Sequence, residues 1–222
     1  MNVLITGTAK GIGKAIAVKF LKNGHHVYGL DIRPSSIESN LYSHYICDIT
    51  DVTAYPDLPD MQIVINNAGV QNSEDDIEVN LVGTIRITEK YAIPSKTLRS
   101  VLNIASASAH TGAEFPYYSA SKGGILAYTR NVALRVADRQ ATCNSISPGG
   151  VKTALNLPVM QDKKLWKEIM DLTPLKRWAE PEEIADWAYF LTVTNKFMTG
   201  QDIMIDGGES TNAKFVWKEE QK

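Results

Sequence analysis

The 222-residue chain has little that would tie it to a metal, a membrane or a polyanion. It carries two cysteines, Cys47 and Cys143, in apolar strand-like stretches without metal-ligand spacing. Buried core thiols in a reducing compartment are the preferred reading, with a disulfide as the alternative. No His, Cys and carboxylate cluster has ligand spacing, so no metal is expected. No apolar run approaches the roughly 18 residues of a membrane span. The first residues, Met-Asn-Val-Leu-Ile-Thr, read as a strand and not as a basic segment followed by an apolar one. A formal net charge of −2 gives no footprint for nucleic acid or anionic lipid. These absences leave a cytoplasmic enzyme or binding protein acting on a small molecule. The composition, 44% hydrophobic and 22% charged, is that of an ordinary globular domain, and no linker or repeat divides residues 1–222.

What is present is alternation. Strand-like runs at Asn2–Thr6, His26–Leu30, His44–Ile46, Met61–Ile65, Val101–Ala105, Ala141–Ile146 and Asp202–Ile205 alternate with helical patterns. The helical patterns cover Gly11–Asn23, Asp76–Leu98, Pro116–Asp138 and Pro181–Thr192. Several strands are continuous Val/Ile/Leu runs, as in strands covered on both faces. The expectation is an α/β, Rossmann-like doubly wound parallel sheet of about seven strands in a single domain. Two connections are lean: Pro56 and Pro59 replace a crossover helix between Asp48 and Asp60 with a loop, and the segment from Asn67 to Asp76 is short and polar.

Residues 6–13, Thr-Gly-Thr-Ala-Lys-Gly-Ile-Gly, follow the first strand and open the first helix. Gly7 permits the turn, Gly11 lets backbone approach a pyrophosphate, and Gly13 allows close helix–strand packing. The helix start then offers free N–H groups to phosphates. Asp31 ends the second strand, 18 residues past Gly13, where its carboxylate can accept both ribose hydroxyls. It would also repel a 2′-phosphate, at about 3 kcal/mol per unit charge for ~5 Å and an effective dielectric of ~20. NAD is therefore expected over NADP, with Lys10 and Arg33 as the cations that argue the other way.

With these features in view, the chain resembles the short-chain dehydrogenase/reductase family along essentially its whole length. The Gly7, Gly11, Gly13 spacing is that family's form. Asp48 after the third strand, Asn66-Asn67-Ala68-Gly69 after the fourth, and Val79-Asn80-Leu81 on the long helix match its motifs. So do Asn103-Ile104-Ala105-Ser106, Tyr118-Ser119-Ala120-Ser121-Lys122, Pro148-Gly149 with Thr153, and Gly200-Gln201-Asp202 with Asp206-Gly207-Gly208. The resemblance implies a cofactor site made of Gly7, Lys10, Gly11, Ile12, Gly13, Asp31, Ile32, Asp48, Ile49, Asn67, Ala68, Gly69, Tyr118, Lys122, Pro148, Gly149, Val151 and Thr153. It implies a catalytic set of Tyr118, Lys122, Ser106 and Asn80.

Tyr118 and Lys122 lie four apart on a helix, so they share a face. A lysine ammonium ~5 Å from a phenol favours phenolate by about 3 kcal/mol, which brings the tyrosine toward proton exchange at neutral pH. By resemblance, Ser106 holds the substrate oxygen, Lys122 bonds the nicotinamide ribose, and Asn80 anchors a water joining Lys122 to solvent. Two departures leave Ser106 open to replacement by Ser108: Ala105 stands where the family more often has a serine, and the spacing of 12 to Tyr118 is short. Asn80 could instead cap a distortion in its helix. Tyr117 lacks the spacing to Lys122 and reads as a pocket or interface residue, His110 as a second-layer or surface residue, and His25 and His26 as structural.

An apolar lid is expected between about Val151 and Trp178, holding Leu155, Leu157, Val159, Met160, Leu165, Trp166, Ile169 and Met170. The same residues could merely pack the segment down. Its lysines, Lys152, Lys163, Lys164 and Lys167, do not define an anionic substrate. The resemblance further implies a homotetramer, or a homodimer. The leading function is NAD-linked interconversion of a secondary alcohol and a ketone. Oxoacyl-thioester reductase and dihydrodiol dehydrogenase are alternatives within the family. A non-catalytic NAD-binding regulator is the alternative outside the enzyme class.

Overall fold

The computed structural model describes residues 1–113 and 115–211; the remainder of the expected domain, residues 212–222, lies outside the described residues. Seven strands form one parallel sheet: β1 (Asn2–Thr6), β2 (His26–Asp31), β3 (Tyr42–Ile46), β4 (Ile63–Asn66), β5 (Ser100–Ile104), β6 (Thr142–Pro148) and β7 (Asp202–Ile205). Their spatial order is β3-β2-β1-β4-β5-β6-β7. The order reverses between β1 and β4, where a crevice opens at the carboxyl ends of the strands.

Alternating side chains feed two cores. Val3, Ile5, Ile63, Ile65 and Leu102 point to one face and meet Ile16 and Phe20 of α1 (Gly11–Lys22) and Ile184 of α7 (Pro181–Tyr189). Leu4, Val64, Val101 and Cys143 point to the other. There they meet Ile87 and Tyr91 of α2 (77–92) and Val132 and Val136 of α4 (Pro116–Val136). Strands buried on both faces cannot alternate apolar with polar, which is why their sequences run as continuous aliphatics.

The expected elements are all found, β1 and β7 with the expected bounds and the others with shifted ends. The helix placed at Asp76–Leu98 stops at residue 92, because Ile93 to Leu98 turns through Pro94 and Ser95 to reach β5. It is also wound more widely than an α-helix: Ile77–Gly83 and Thr88–Ala92 are π-helical and flank one α-turn, Thr84–Ile87. Pro181–Tyr189 likewise passes into a π-turn, Phe190–Thr194. Pro148 proves to be the last residue of β6. Residues 48–60 form the expected loop, broken only by the short turn Val52–Ala54.

Three helices complete the fold at the crevice: α3 (Ser108–Thr111), α5 (Leu157–Gln161) and α6 (Lys163–Leu172). Cys47 and Cys143 are free, buried thiols. Burial pushes both up from their ordinary acidity. His25 is packed among Phe20 and Tyr189, and His26 stacks on Tyr28. No helix among the described residues is long and apolar enough to cross a membrane.

Candidate functional site

The glycine loop runs from the end of β1 into α1. Its geometry is fixed from behind by the β4 exit: Thr6 Oγ1 accepts from the N–H groups of Asn67 and Ala68, each at 3.0 Å. Asn67 Nδ2 donates to the carbonyls of Thr6 and Gly7. Helix α1 begins after Lys10 with no side-chain cap and no acid in its first turn. Its leading N–H groups therefore remain available to an anion.

At the tip of β2, both oxygens of Asp31 are engaged by backbone: Oδ2 accepts from Ala9 N–H at 2.8 Å and Oδ1 from Arg33 N–H at 2.9 Å. The carboxylate is thus aimed and held rather than left to swing. Ile32 beside it is exposed, as an adenine-facing side chain would be. Asp48 spends Oδ1 on Thr50. Ile49 turns its side chain under α2 at Gly83, so what it can offer a cofactor is backbone.

On the other side of the switch point, a cavity of about 870 Å³ opens over Tyr118, Lys122 and Ser106. Ile12, Asn67, Gly69, Pro148, Val151 and Thr153 border it, so the cavity extends from the tyrosine to the start of α1. The dinucleotide fits this chain on three counts: an uncapped helix start, an aimed carboxylate on the ribose side, and a continuous cavity leading to the tyrosine. Tyr118 is half-buried near the start of α4, and Tyr117 points to solvent.

Lys122 Nζ lies 5.6 Å from the Tyr118 ring centroid and donates to the Ile104 carbonyl at 2.9 Å. Ser106 is 8% exposed, and its Oγ accepts from both the N–H and the hydroxyl of Ser108. Asn80 lies inside the π-helical stretch of α2. Its carboxamide is committed: Oδ1 accepts from Val70 N–H, and Nδ2 donates to Val70 C=O and Ser121 Oγ. The side chain thereby clips the β4–α2 loop onto α4.

Burial drags Lys122 down from its ordinary 10.5 to about 8, with the negative charge of Asp76 opposing the fall. The folded lysine therefore releases its proton more readily than the unfolded one. Below pH 8 the full cost of the buried ammonium is present. Between about 8 and 10.5 the unfolded chain binds more protons, so stability rises with pH across that window. The difference is worth about 3 kcal/mol. Lys122→Met is expected to abolish this rise, as read by urea denaturation at neutral and alkaline pH.

The lid segment holds α5 and α6 over the cavity, with Leu155, Val159, Leu165 and Ile169 facing in. Trp166 packs edge-on against Trp178, whose indole N–H is buried without a partner among the described residues. Leu157 points outward instead. Lys152 pairs with Glu180 and Lys167 with Asp171, so these two charges are not aimed at a substrate.

Two groups escape a linear reading of the sequence, the Tyr42 brace and Asp76, while His110 takes a place outside the cavity lining. Tyr42 OH bridges Thr8 Oγ1 and His44 Nδ1, and His44 Nε2 contacts the Arg33 carbonyl, bracing the Asp31 turn across β2 and β3. His110 ties α3 to β7 through Asp202 at 2.7 Å and does not border the cavity. Asp76 is buried close to Lys122.

A family model described as enoyl-(acyl carrier protein) reductase matches residues 7–210. The 3-oxoacyl-[acyl-carrier-protein] reductase FabG of Buchnera aphidicola subsp. Schizaphis graminum is 30% identical over 238 residues, covering 93% of this chain and 96% of that protein. Thermoplasma acidophilum aldohexose dehydrogenase, solved ligand-free, has a TM-score of 0.86 at 29% identity and covers 98% of this chain and 97% of its own. 4-Hydroxyisoleucine dehydrogenase complexed with NADH has a TM-score of 0.84 at 26% identity, over 96% and 99% of the two chains. A further neighbour, from Agrobacterium tumefaciens, was solved with NADP bound. The family model spans most of the sequence and these relatives span nearly all of it: the chain belongs to the short-chain dehydrogenase/reductase family and is an oxidoreductase acting between a CH–OH group and a carbonyl.

Proposed function

We propose that the protein interconverts a secondary alcohol and a ketone with NAD(H), using Tyr118 as acid and base. One observation carries the reading: Tyr118, the Lys122 ammonium and the Ser106 hydroxyl meet on one side of a cavity that begins at the glycine loop. When bound, the dinucleotide supplies or takes up the hydride; the chain's own residues manage the oxygen and its proton.

In the reductive direction Tyr118 gives its phenolic proton to the substrate oxygen, and Lys122 stabilises the phenolate that remains. Ser106 holds the substrate oxygen. Its hydroxyl already accepts twice from Ser108, which leaves its own proton free to point at the substrate and favours Ser106 over Ser108 for the role. Asn80 fixes the helix beside Lys122 through Val70 and Ser121, so any link to solvent would pass its backbone rather than its occupied carboxamide. Residues 151–178 serve as the lid, presenting aliphatic side chains that suit an uncharged substrate and exclude water.

Cofactor choice rests on Asp31. A carboxylate fixed by two backbone N–H groups cannot turn away from a 2′-phosphate. NADH is therefore expected to bind at least about tenfold more tightly than NADPH, a difference of about 1.4 kcal/mol or more. Side-by-side fluorescence titration of the purified protein tests this. Equal or tighter NADPH binding would transfer the selection to Lys10 or Arg33, and binding of neither would defeat the enzyme reading.

A second reading, reduction of a 3-oxoacyl thioester, is favoured by the name of the Buchnera relative. Faster turnover of an acetoacetyl thioester than of simple ketones, with NADPH preferred, would establish it instead. Assembly as a homotetramer or homodimer belongs to the same proposal: Leu134 on α4, 81% exposed, is an apolar side chain that helix pairing would cover. Sedimentation at micromolar concentration should then give a mass at least twice that of the chain.

A further inference from the structure

Asp76 stands at the entry to α2, four residues before Asn80. It is 1% exposed, and neither carboxylate oxygen has a hydrogen-bond partner among the described residues. A carboxylate removed from water without donors is strongly disfavoured unless a nearby cation compensates. That cation is Lys122, itself buried, which spends one proton on Ile104 and is joined to Asp76 by no direct ion pair. Asp76 lies one helical turn before Asn80, and Asn80 and Lys122 meet at one point: a Cβ added at Gly69 would stand 2.8 Å from Asn80 Oδ1 and 3.6 Å from Lys122 Nζ. The loop that leads into Asp76 thus passes over both side chains.

The other groups around Lys122 cannot replace this charge. β5 offers the Ile104 carbonyl, α4 offers the Tyr118 phenol and Ser121, and α2 offers the Asn80 carboxamide. Glu74 and Asp75 are exposed to water, and across the cavity Asp206 is bound by the N–H groups of Gly208 and Ser210. Among the described residues, Asp76 is the one carboxylate whose oxygens are buried without a hydrogen-bond donor, and its negative charge holds Lys122 up against burial.

We propose that Asp76 is the buried counter-ion of Lys122, a positioning residue that acts through the lysine to keep Nζ an ammonium when the site is closed to water. The role rests on the Tyr118–Lys122 mechanism proposed above. A neutral amine could not stabilise the Tyr118 phenolate, so the carboxylate sets the pH range over which the tyrosine can act. It also accounts for a carboxylate kept where burial opposes it.

The test compares wild type, Asp76→Asn, Lys122→Met and the double variant. Urea unfolding of the cofactor-free proteins is followed across pH 6 to 10, and kcat across the same range. The wild type should show stability rising from about pH 8, a limb absent in Lys122→Met. In Asp76→Asn the limb should start about one pH unit lower or more, and kcat near pH 7.5 should fall at least about threefold and recover toward pH 6. A limb in Asp76→Asn that coincides with wild type overturns the proposal.

Should Asp76→Asn fail to fold, the double variant decides: folding restored by also removing the lysine charge supports the pairing, and failure of both overturns it. Absence of turnover in the wild type would remove the proposed function, yet the stability limb of the cofactor-free proteins would still report on Asp76 and Lys122.

Discussion

Tyr118→Phe is expected to lower turnover by about 10²–10⁴-fold while leaving NADH affinity within about twofold of wild type. The substitution removes one hydroxyl and keeps the ring that lies beside Lys122 Nζ, so the cavity wall and the glycine loop are untouched. What disappears is the single group able both to give a proton to the substrate oxygen and to leave a phenolate that the ammonium stabilises. Because Tyr118 is only half-buried, the melting temperature should move by no more than a few degrees.

Tyr117→Phe serves as the control. That side chain is 65% exposed and points away from the cavity, so its activity should match wild type. Wild-type rates in Tyr118→Phe would remove the proposed mechanism. Loss of both binding and folding would show that the phenol is structural. A protein whose role is to bind NAD without turning it over needs the glycine loop and Asp31 but has no use for this hydroxyl, so the same comparison separates enzyme from regulator.

The features readable from the sequence are those whose partners are close in the chain. The β1–loop–α1 unit spans a few residues on either side of Gly7, and the Tyr118–Lys122 pair is one helical turn. Asp31 is located by counting from Gly13. Each is a local arrangement whose spacing is set by helix or strand geometry. The continuous aliphatic strands likewise announce a sheet covered on both faces.

What stayed hidden depends on elements that meet only in the folded chain. The orientation of Ser106 comes from Ser108 at the start of α3, a helix of one turn with no periodicity to detect. Asn80 was legible as a candidate, but its occupation by Val70 and Ser121 requires the β4–α2 loop to lie against α4. The π-winding of α2 has no signature in a pattern that cannot distinguish turns of slightly different width. Asp76 reads as one more acid in a polar run beside Glu74 and Asp75; only burial separates it from its neighbours. The Thr8–Tyr42–His44 brace likewise joins residues from the glycine loop and the sheet edge.

The glycine loop provides the second large effect, because two of its glycines do different work. Gly13 lies in the first turn of α1, directly against the loop it follows: an added Cβ would overlap the Gly7 carbonyl oxygen and crowd Asn67 Nδ2. Neither neighbour can yield, since the oxygen is backbone and Asn67 is bound to the carbonyls of Thr6 and Gly7. Gly13→Ala is therefore expected to cost at least about 3 kcal/mol and to lower the melting temperature by roughly 10 °C, with NADH binding lost as α1 is displaced from β1. At Gly11 the surroundings are open. An added Cβ would meet only Thr153, at 3.4 Å, and the cost comes from a φ of +57°, about 1–2 kcal/mol for an L-residue. Gly11→Ala should fold, losing only a few degrees, and should still bind NADH poorly because its methyl occupies the approach to the helix start. Differential scanning fluorimetry with and without NADH separates the two. If Gly13→Ala melted like wild type, the close packing of α1 on the loop would be refuted; if Gly11→Ala bound NADH normally, the phosphates would have to lie elsewhere than at the α1 N-terminus.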